Sequence, residues 1–277
     1  MTENNMLSLS VYDRGLHYGD GLFETYAVQH KQLLCWTWHG ERLIEGCQRL
    51  GFPPPDLPKL YQQAHQSLPD TPRSILKLLI TRGVGGRGYR PPQPATPHCL
   101  FLSYPYPAYP PHYTERGVKV RVCTTRLACQ PLLAGLKHLN RLEQVLARQE
   151  WDNTDIAEGL MLDTADNIIE GTMTNLFIVK GKNIYTPDVT QAGIAGVMRR
   201  AILTLAPQLG FTVTIGHYNL QDCLTADELL LTNSVIGLWT VQQLNNQRYS
   251  VGTVSQTIRH HLRQQQWIVN DAEFFPT

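Results

Sequence analysis

The chain has 277 residues, 42% hydrophobic and 17% charged, which is enough to bury a sizeable core and suits two modest domains better than one. Its 24 lysines and arginines against 23 acids leave a net charge of +1, so no overall basic field draws in nucleic acid or an anionic membrane, and neither is expected as a partner. Six cysteines without a C-x-x-C spacing or a short Cys/His cluster exclude a zinc site on spacing grounds; no metal is expected, and the thiols are expected to be reduced.

Along the chain, Met1 to Ser10 carry neither a basic n-region nor an apolar h-region, and no apolar run approaches roughly 18 residues. A cytoplasmic protein is therefore expected. Trp38 to Leu50 places Leu43, Ile44, Cys47 and Leu50 at helical spacing, and Ser74 to Thr81, SILKLLIT, reads as a buried strand. The stretch Gly83 to Tyr89, GVGGRGY, lacks the Lys-Ser/Thr ending of a P-loop, and no strand-to-helix dinucleotide context follows. A flexible loop carrying Arg87 and Tyr89 suits the gripping of a substrate carboxylate, with a merely solvated loop as the alternative.

Residues 104–117, YPYPAYPPHYTERG, form a Pro-rich linker by composition, since proline removes backbone donors and favours extended chain. Val118, Val120 and Val122 then alternate with Lys119 and Arg121 as a strand with one buried face. Asn140 to Glu150 reads as a helix, and Gly159 to Asp163, Asn167 to Glu170 and Thr174 to Val179 as short strands around a polar turn. Gly196 to Leu209 returns to helical spacing, Phe211 to Ile215 and Glu228 to Thr232 are strands, and Thr253 to Gln265 is a closing helix. Without a regular βαβ rhythm the mixture predicts an α+β fold of two domains, 1–103 and 118–277, joined by 104–117.

Five places along the chain have chemistry to offer. Lys137 lies in the apolar segment LAGLKHL, where desolvation disfavours the ammonium and leaves a nucleophilic amine, although a lysine there can also snorkel to solvent. Lys77, Lys119 and Lys180 are the alternatives, in less apolar surroundings. Glu170, at the end of a short strand before Gly171, is placed either to pair with a protonated ring nitrogen or to face a turn. The run Gly193-Ile194-Ala195-Gly196 opens a helix whose first N–H groups, at Val197 and Met198, suit a phosphate; Arg42 and Ser234 could join them.

These residues, in this order, resemble the fold-type IV pyridoxal-phosphate enzymes, the superfamily of branched-chain and D-amino-acid aminotransferases. The run Tyr12 to Thr25, YDRGLHYGDGLFET, looks like that family's opening strand, His39-Gly40-Glu41-Arg42-Leu43 like its phosphate-arginine helix, and Glu170 through Phe177 like its pyridinium segment. The strings Arg82 to Tyr89 and Leu133 to Gln144, with Thr25, are similar to the family's lyase branch, whereas Leu16 stands where the D-amino-acid enzymes place a tyrosine.

The resemblance implies pyridoxal 5'-phosphate on Lys137 as the Schiff-base lysine of the larger C-terminal domain, Lys137 and Thr25 as catalytic residues, and Arg42, Glu170, Gly196, Val197, Met198 and Ser234 as cofactor ligands. It further implies Arg87, Tyr89 and Thr25 at a small-molecule substrate of the 4-amino-4-deoxychorismate type, split to 4-aminobenzoate and pyruvate in folate synthesis, and a homodimer with sites between domains. A branched-chain or D-amino-acid aminotransferase is the alternative, since Glu24 is shared with such enzymes, and a catalytically silent small-molecule-binding protein is the remoter one.

Overall fold

The computed structural model describes residues 9–270, so the reading of residues 1–8 as free of a leader, and the outer ends of both expected domains, lie outside the described residues. The fold is α+β and divides into two compact units. The first runs to Tyr106 and takes back Lys137–Asn140; the second comprises Pro107–Leu136 and the chain from Arg141 onward.

The first unit contains α1 (Arg14–Tyr18), β1 (Gly21–Gln29), β2 (Gln32–Leu33), α2 (Trp36–Leu50), α3 (Leu57–Gln66), β3 (Arg73–Thr81) and β4 (His98–Pro105). Its strands form an antiparallel sheet in the order β2-β1-β3-β4. Period-two alternation sorts the two faces: Leu22, Glu24, Tyr26 and Val28 with Ser74, Leu76, Leu78 and Ile80 are buried, whereas Phe23, Thr25 and Lys77 are half-buried on the other side. Helix α2 packs on β1 and begins at Trp36, two residues before the expected start, because Cys35 with φ 55° turns the chain into it.

One edge of β1 is filled by β3, while β2 reaches only Val28 and Gln29 on the other. The open stretch of that edge takes Lys137–Asn140: the Phe23 N–H donates to the Lys137 carbonyl at 2.9 Å, Leu139 N–H to Gly21 at 3.0 Å, and Leu22 bridges to His138. Lys137 thus packs with the first unit, not with the second domain where chain order had put it.

The second unit contains α4 (His112–Glu115), β5 (Val118–Leu127), α5 (Leu142–Arg148), β6 (Ile156–Asp163), β7 (Ile168–Gly171), β8 (Asn175–Lys180), β9 (Asn183–Pro187), α6 (Val197–Gln208), β10 (Thr212–Gly216), α7 (Leu220–Leu224), β11 (Glu228–Asn233), β12 (Gly237–Leu244), β13 (Gln247–Arg248) and α8 (Thr253–Gln264). Strand order is β10-β9-β8-β11-β12-β5-β6-β7, and β7 pairs back onto β8 through Glu170 and Asn175. The pairing closes β8, β11, β12, β5, β6 and β7 into a ring, which removes exposed edges among those strands.

Alternating residues fill one core: Leu160 and Leu162, Leu176 and Ile178, Leu229 and Leu231, Trp239 and Val241. The expected Pro-rich linker is largely built into structure. Strand β4 runs through Pro105, and Tyr109 and Tyr113 pack edge-on against Trp239 with centroids 4.9 and 5.3 Å away. The prolines still end β4, but aromatic side chains between them are anchored.

Candidate active site

In the first unit, Lys137 is half-buried and its Nζ lies 4.3 Å from the centroid of the Phe23 ring. Thr25, two residues beyond Phe23, is on the same side of β1 and is paired across the sheet with Lys77. Lys77 Nζ approaches the same ring, at 5.1 Å, so two amines flank one aromatic ring. Lys119 is spent on an ion pair with Asp155 at 3.1 Å, and Lys180 lies 3.7 Å from Asp222.

On the opposite face, Glu24 is a carboxylate at an otherwise apolar strand position, 1% exposed. Arg42 Nε donates to its Oε1 at 2.8 Å, Arg42 Nη2 to Oε2, and His39 Nδ1 lies 2.6 Å from Oε2. Arg42, expected at a phosphate, is thus oriented by a fork onto Glu24. Burial would raise the Glu24 pKa, but the adjacent Arg42 charge overturns that and the carboxyl is held at about 2. Burial lowers the His39 pKa despite Glu24, so His39 is neutral at pH 7 and the cation that holds Glu24 ionised is Arg42.

A folded-state pKa below the usual 4.5 means stability that is complete above about pH 5 and is lost as pH falls toward 2. The shift is worth about 3 kcal/mol. Urea midpoints measured between pH 7 and pH 2.5 are expected to fall steeply below pH 5, and Glu24→Gln to flatten that fall; equal slopes in both proteins would show that another group sets the acid limit.

In the second unit, Glu170 is 3% exposed at the point where β7 meets β8. Its Oε2 accepts from Ile194 N–H at 2.9 Å and from Asn175 Nδ2 at 3.3 Å, and Asn175 Nδ2 also donates to the Ile194 carbonyl at 2.8 Å. Two glycines make room. Gly193 has φ 85°, and a side chain there would press on Ile169 and Glu170; at Gly196 a Cβ would run into the Asn175 side-chain oxygen. Helix α6 follows, with Gly196 as N-cap, no acid in its first turn and no side-chain cap, so its leading N–H groups present the positive end of the helix. Val197 and Met198 are buried, which confines any ligand role to their backbone N–H groups.

Two arginines surround Glu170 that the sequence reading did not assign. Burial lowers the pKa of Arg141 and of Arg199, and the Glu170 charge opposes the shift in both. Arg199 is 7% exposed, donates through Nη2 to the Pro187 carbonyl at 3.0 Å, and has a buried Nε without a partner. Ser234 follows β11 and is half-buried; its turn is built on Asn233, whose Oδ1 accepts from Val235 and Ile236 N–H and whose Nδ2 donates to the Met173 carbonyl at 3.0 Å. A fixed carboxylate, a helix start lined by glycine and an unsatisfied guanidinium N–H fit the ring nitrogen and phosphate of pyridoxal 5'-phosphate.

The glycine-rich loop is tethered where flexibility had been expected. Buried Arg14 donates to the carbonyls of Gly88 at 3.0 Å and Tyr89 at 2.9 Å, and Gly88 N–H donates to the Tyr18 hydroxyl at 3.1 Å. Arg14 and Arg82 both donate to Asp20 Oδ2, at 2.8 and 2.7 Å. Arg87 is exposed, and Tyr89 is 85% exposed with its ring against Tyr18 at 5.4 Å. The loop is therefore held by its backbone and presents both side chains outward. Neither is brought onto the Phe23 face. Among the described residues no cluster of three or more His, Cys, Asp or Glu has the arrangement of a metal site, and no helix is long and apolar enough to cross a membrane.

A family model described as amino-transferase class IV matches residues 21–244. The chain is 37% identical over 254 residues to the aminodeoxychorismate lyase of Vibrio harveyi, covering 90% of this chain and 94% of that protein. It superposes on the crystal structure of 4-amino-4-deoxychorismate lyase from Pseudomonas aeruginosa with a TM-score of 0.90 and 44% identity, over 94% of this chain and 96% of that one. A hypothetical aminotransferase from Mycobacterium tuberculosis in its PLP-bound form shares the fold at 19% identity, with a TM-score of 0.80 over 95% and 94% of the two chains.

Proposed function

Because the chain belongs to the class IV amino-transferase family, we propose that it is a pyridoxal-phosphate-dependent lyase that converts 4-amino-4-deoxychorismate to 4-aminobenzoate and pyruvate, as a cytoplasmic homodimer. The observation that carries this reading is its likeness to two such lyases, at 37% and 44% identity, over nine-tenths of the chain. The exposed Leu142, Val145 and Leu146, at helical spacing on α5, support self-association.

Lys137 would hold the cofactor through Nζ, Glu170 would keep its ring nitrogen protonated, and Arg42, the N–H groups of Val197 and Met198 beside Gly196, and Ser234 would hold its phosphate. When bound, pyridoxal phosphate supplies an electron sink for the bond broken at the amine-bearing carbon. Lys137 Nζ would be the base that accepts the proton from that carbon. The C–O bond to the enolpyruvyl group then breaks, the ring becomes aromatic, and Lys137 returns a proton to the departing enol carbon to give pyruvate. Thr25 would line the reacting face beside Phe23; Arg87 and Tyr89, which the tethered loop presents outward, would meet a substrate carboxylate only at the rim of the site. Within the second unit, Gly135 exchanges hydrogen bonds with Gly193 and Ala195 on either side of Ile194, the residue whose N–H holds Glu170.

The test is direct. Protein loaded with pyridoxal phosphate and given aminodeoxychorismate is expected to release fluorescent 4-aminobenzoate together with pyruvate. Turnover no faster than buffer would overturn the reading, and glutamate formed from 2-oxoglutarate with a branched-chain or D-amino donor would replace it with amino transfer.

A further inference from the structure

A second buried carboxyl group in the second unit, beside Glu170 in the sheet, has no part in the chemistry above. Glu158, on β6, is 1% exposed and sits two residues before Leu160 on the same side of the strand. Its Oε1 accepts from Gly159 N–H at 2.8 Å, Thr172 N–H at 3.0 Å and the Thr172 hydroxyl at 2.5 Å; its Oε2 accepts from Met173 N–H at 3.1 Å and the Thr174 hydroxyl at 3.0 Å. Four of the five donors belong to one three-residue turn, Thr172-Met173-Thr174. A Cβ on Gly171 would strike the Glu158 carboxylate, so the turn is shaped to lie against it.

Both ends of the turn lead into the proposed cofactor site. Gly171 N–H donates to the Thr174 carbonyl at 2.7 Å, which closes the turn and sets Glu170 opposite Asn175, the residue whose Nδ2 reaches Glu170 Oε2. At the middle of the turn, the Met173 carbonyl accepts from Asn233 Nδ2, and Asn233 builds the bend that carries Ser234. One buried carboxyl group therefore fastens a turn that is wired to the ring-nitrogen carboxylate on one side and to the phosphate-side hydroxyl on the other.

We propose that Glu158 is a positioning residue that sets Glu170 and Ser234 jointly, through the Thr172–Thr174 turn, for the two ends of the cofactor. The inference rests on the cofactor reading given above. A carboxylate is required there, and an amide of the same size does not serve: each oxygen receives at least one backbone N–H, so a glutamine meets an N–H with its own NH2 in either orientation. A threonine hydroxyl can rotate to accept; a backbone N–H cannot.

The experiment uses apo-protein titrated with pyridoxal phosphate, reading the dissociation constant by fluorescence, the absorbance maximum of bound cofactor for its ring, and the 31P shift for its phosphate. Glu158→Gln is expected to bind about 10- to 100-fold more weakly, the cost of one unsatisfied buried group, with both spectral signals displaced. Thr174→Val, which deletes a single hydroxyl donor, is expected to weaken binding several-fold and to move both signals in the same direction, and it carries the test if Glu158→Gln does not fold. Wild-type affinity and spectra in the folded variant, or lower thermal stability alone, would overturn the positioning role. Wild-type protein that takes up no pyridoxal phosphate would overturn the cofactor reading itself, and this inference with it.

Discussion

Lys137→Ala is expected to leave the fold intact, to remove the visible-edge absorbance of lysine-bound cofactor, and to lower turnover by about 10^4-fold, since in the proposed mechanism one amine both anchors the cofactor and moves the protons. The fold survives because the backbone of Lys137, not its side chain, pairs with β1, and because the half-buried side chain lies against Phe23 without filling a core position. Lys77→Ala is the matched comparison, as Lys77 flanks the same ring. Absorbance that persists in Lys137→Ala and vanishes in Lys77→Ala would transfer the assignment to Lys77.

Glu170→Gln is expected to be nearly as damaging to kcat, by about 10^2- to 10^3-fold, with a much smaller change in KM, because the proposed mechanism then loses a prearranged charge-stabilising partner while substrate contacts remain. A glutamine can keep its oxygen toward Ile194 N–H and Asn175 Nδ2, so the local hydrogen bonds hold. What it cannot do is keep a ring nitrogen protonated. Steady-state kinetics alongside the absorbance spectrum distinguish the cases: an unchanged kcat would remove Glu170 from the mechanism, and loss of cofactor without loss of fold would make its role one of binding.

The legible parts of the fold were those with one dominant local signal. Helix α2 followed from Leu43, Cys47 and Leu50, strand β3 from SILKLLIT, and the start of α6 from Gly196, whose absent side chain is needed beside Asn175. Strands β4 and β12 and helix α3 were not read: HCLFLSYP runs into proline, GLWTVQQL opens on glycine and closes in glutamines, and LPKLYQQAHQ is mostly polar. Their identity is set by partners far along the chain. The site shows the same division. Lys137, Glu170 and Arg42 stand in recognisable strings, whereas Glu158 carries no local signal of its own and takes its partners from a turn 14 residues on. Arg14 reaches Gly88 across 74 residues, a separation that leaves no local pattern.

The return of Lys137–Asn140 to the edge of β1 also sets an order of events during synthesis. The first 106 residues leave the ribosome with all four strands of their sheet, yet the opening half of β1 keeps a bare row of N–H and C=O groups until some thirty further residues have been made. The same segment that carries Lys137 is the cover for that edge. A nascent or truncated chain that stops short of it is thus left with a sticky edge, and completing the sheet delivers the proposed Schiff-base lysine in the same step.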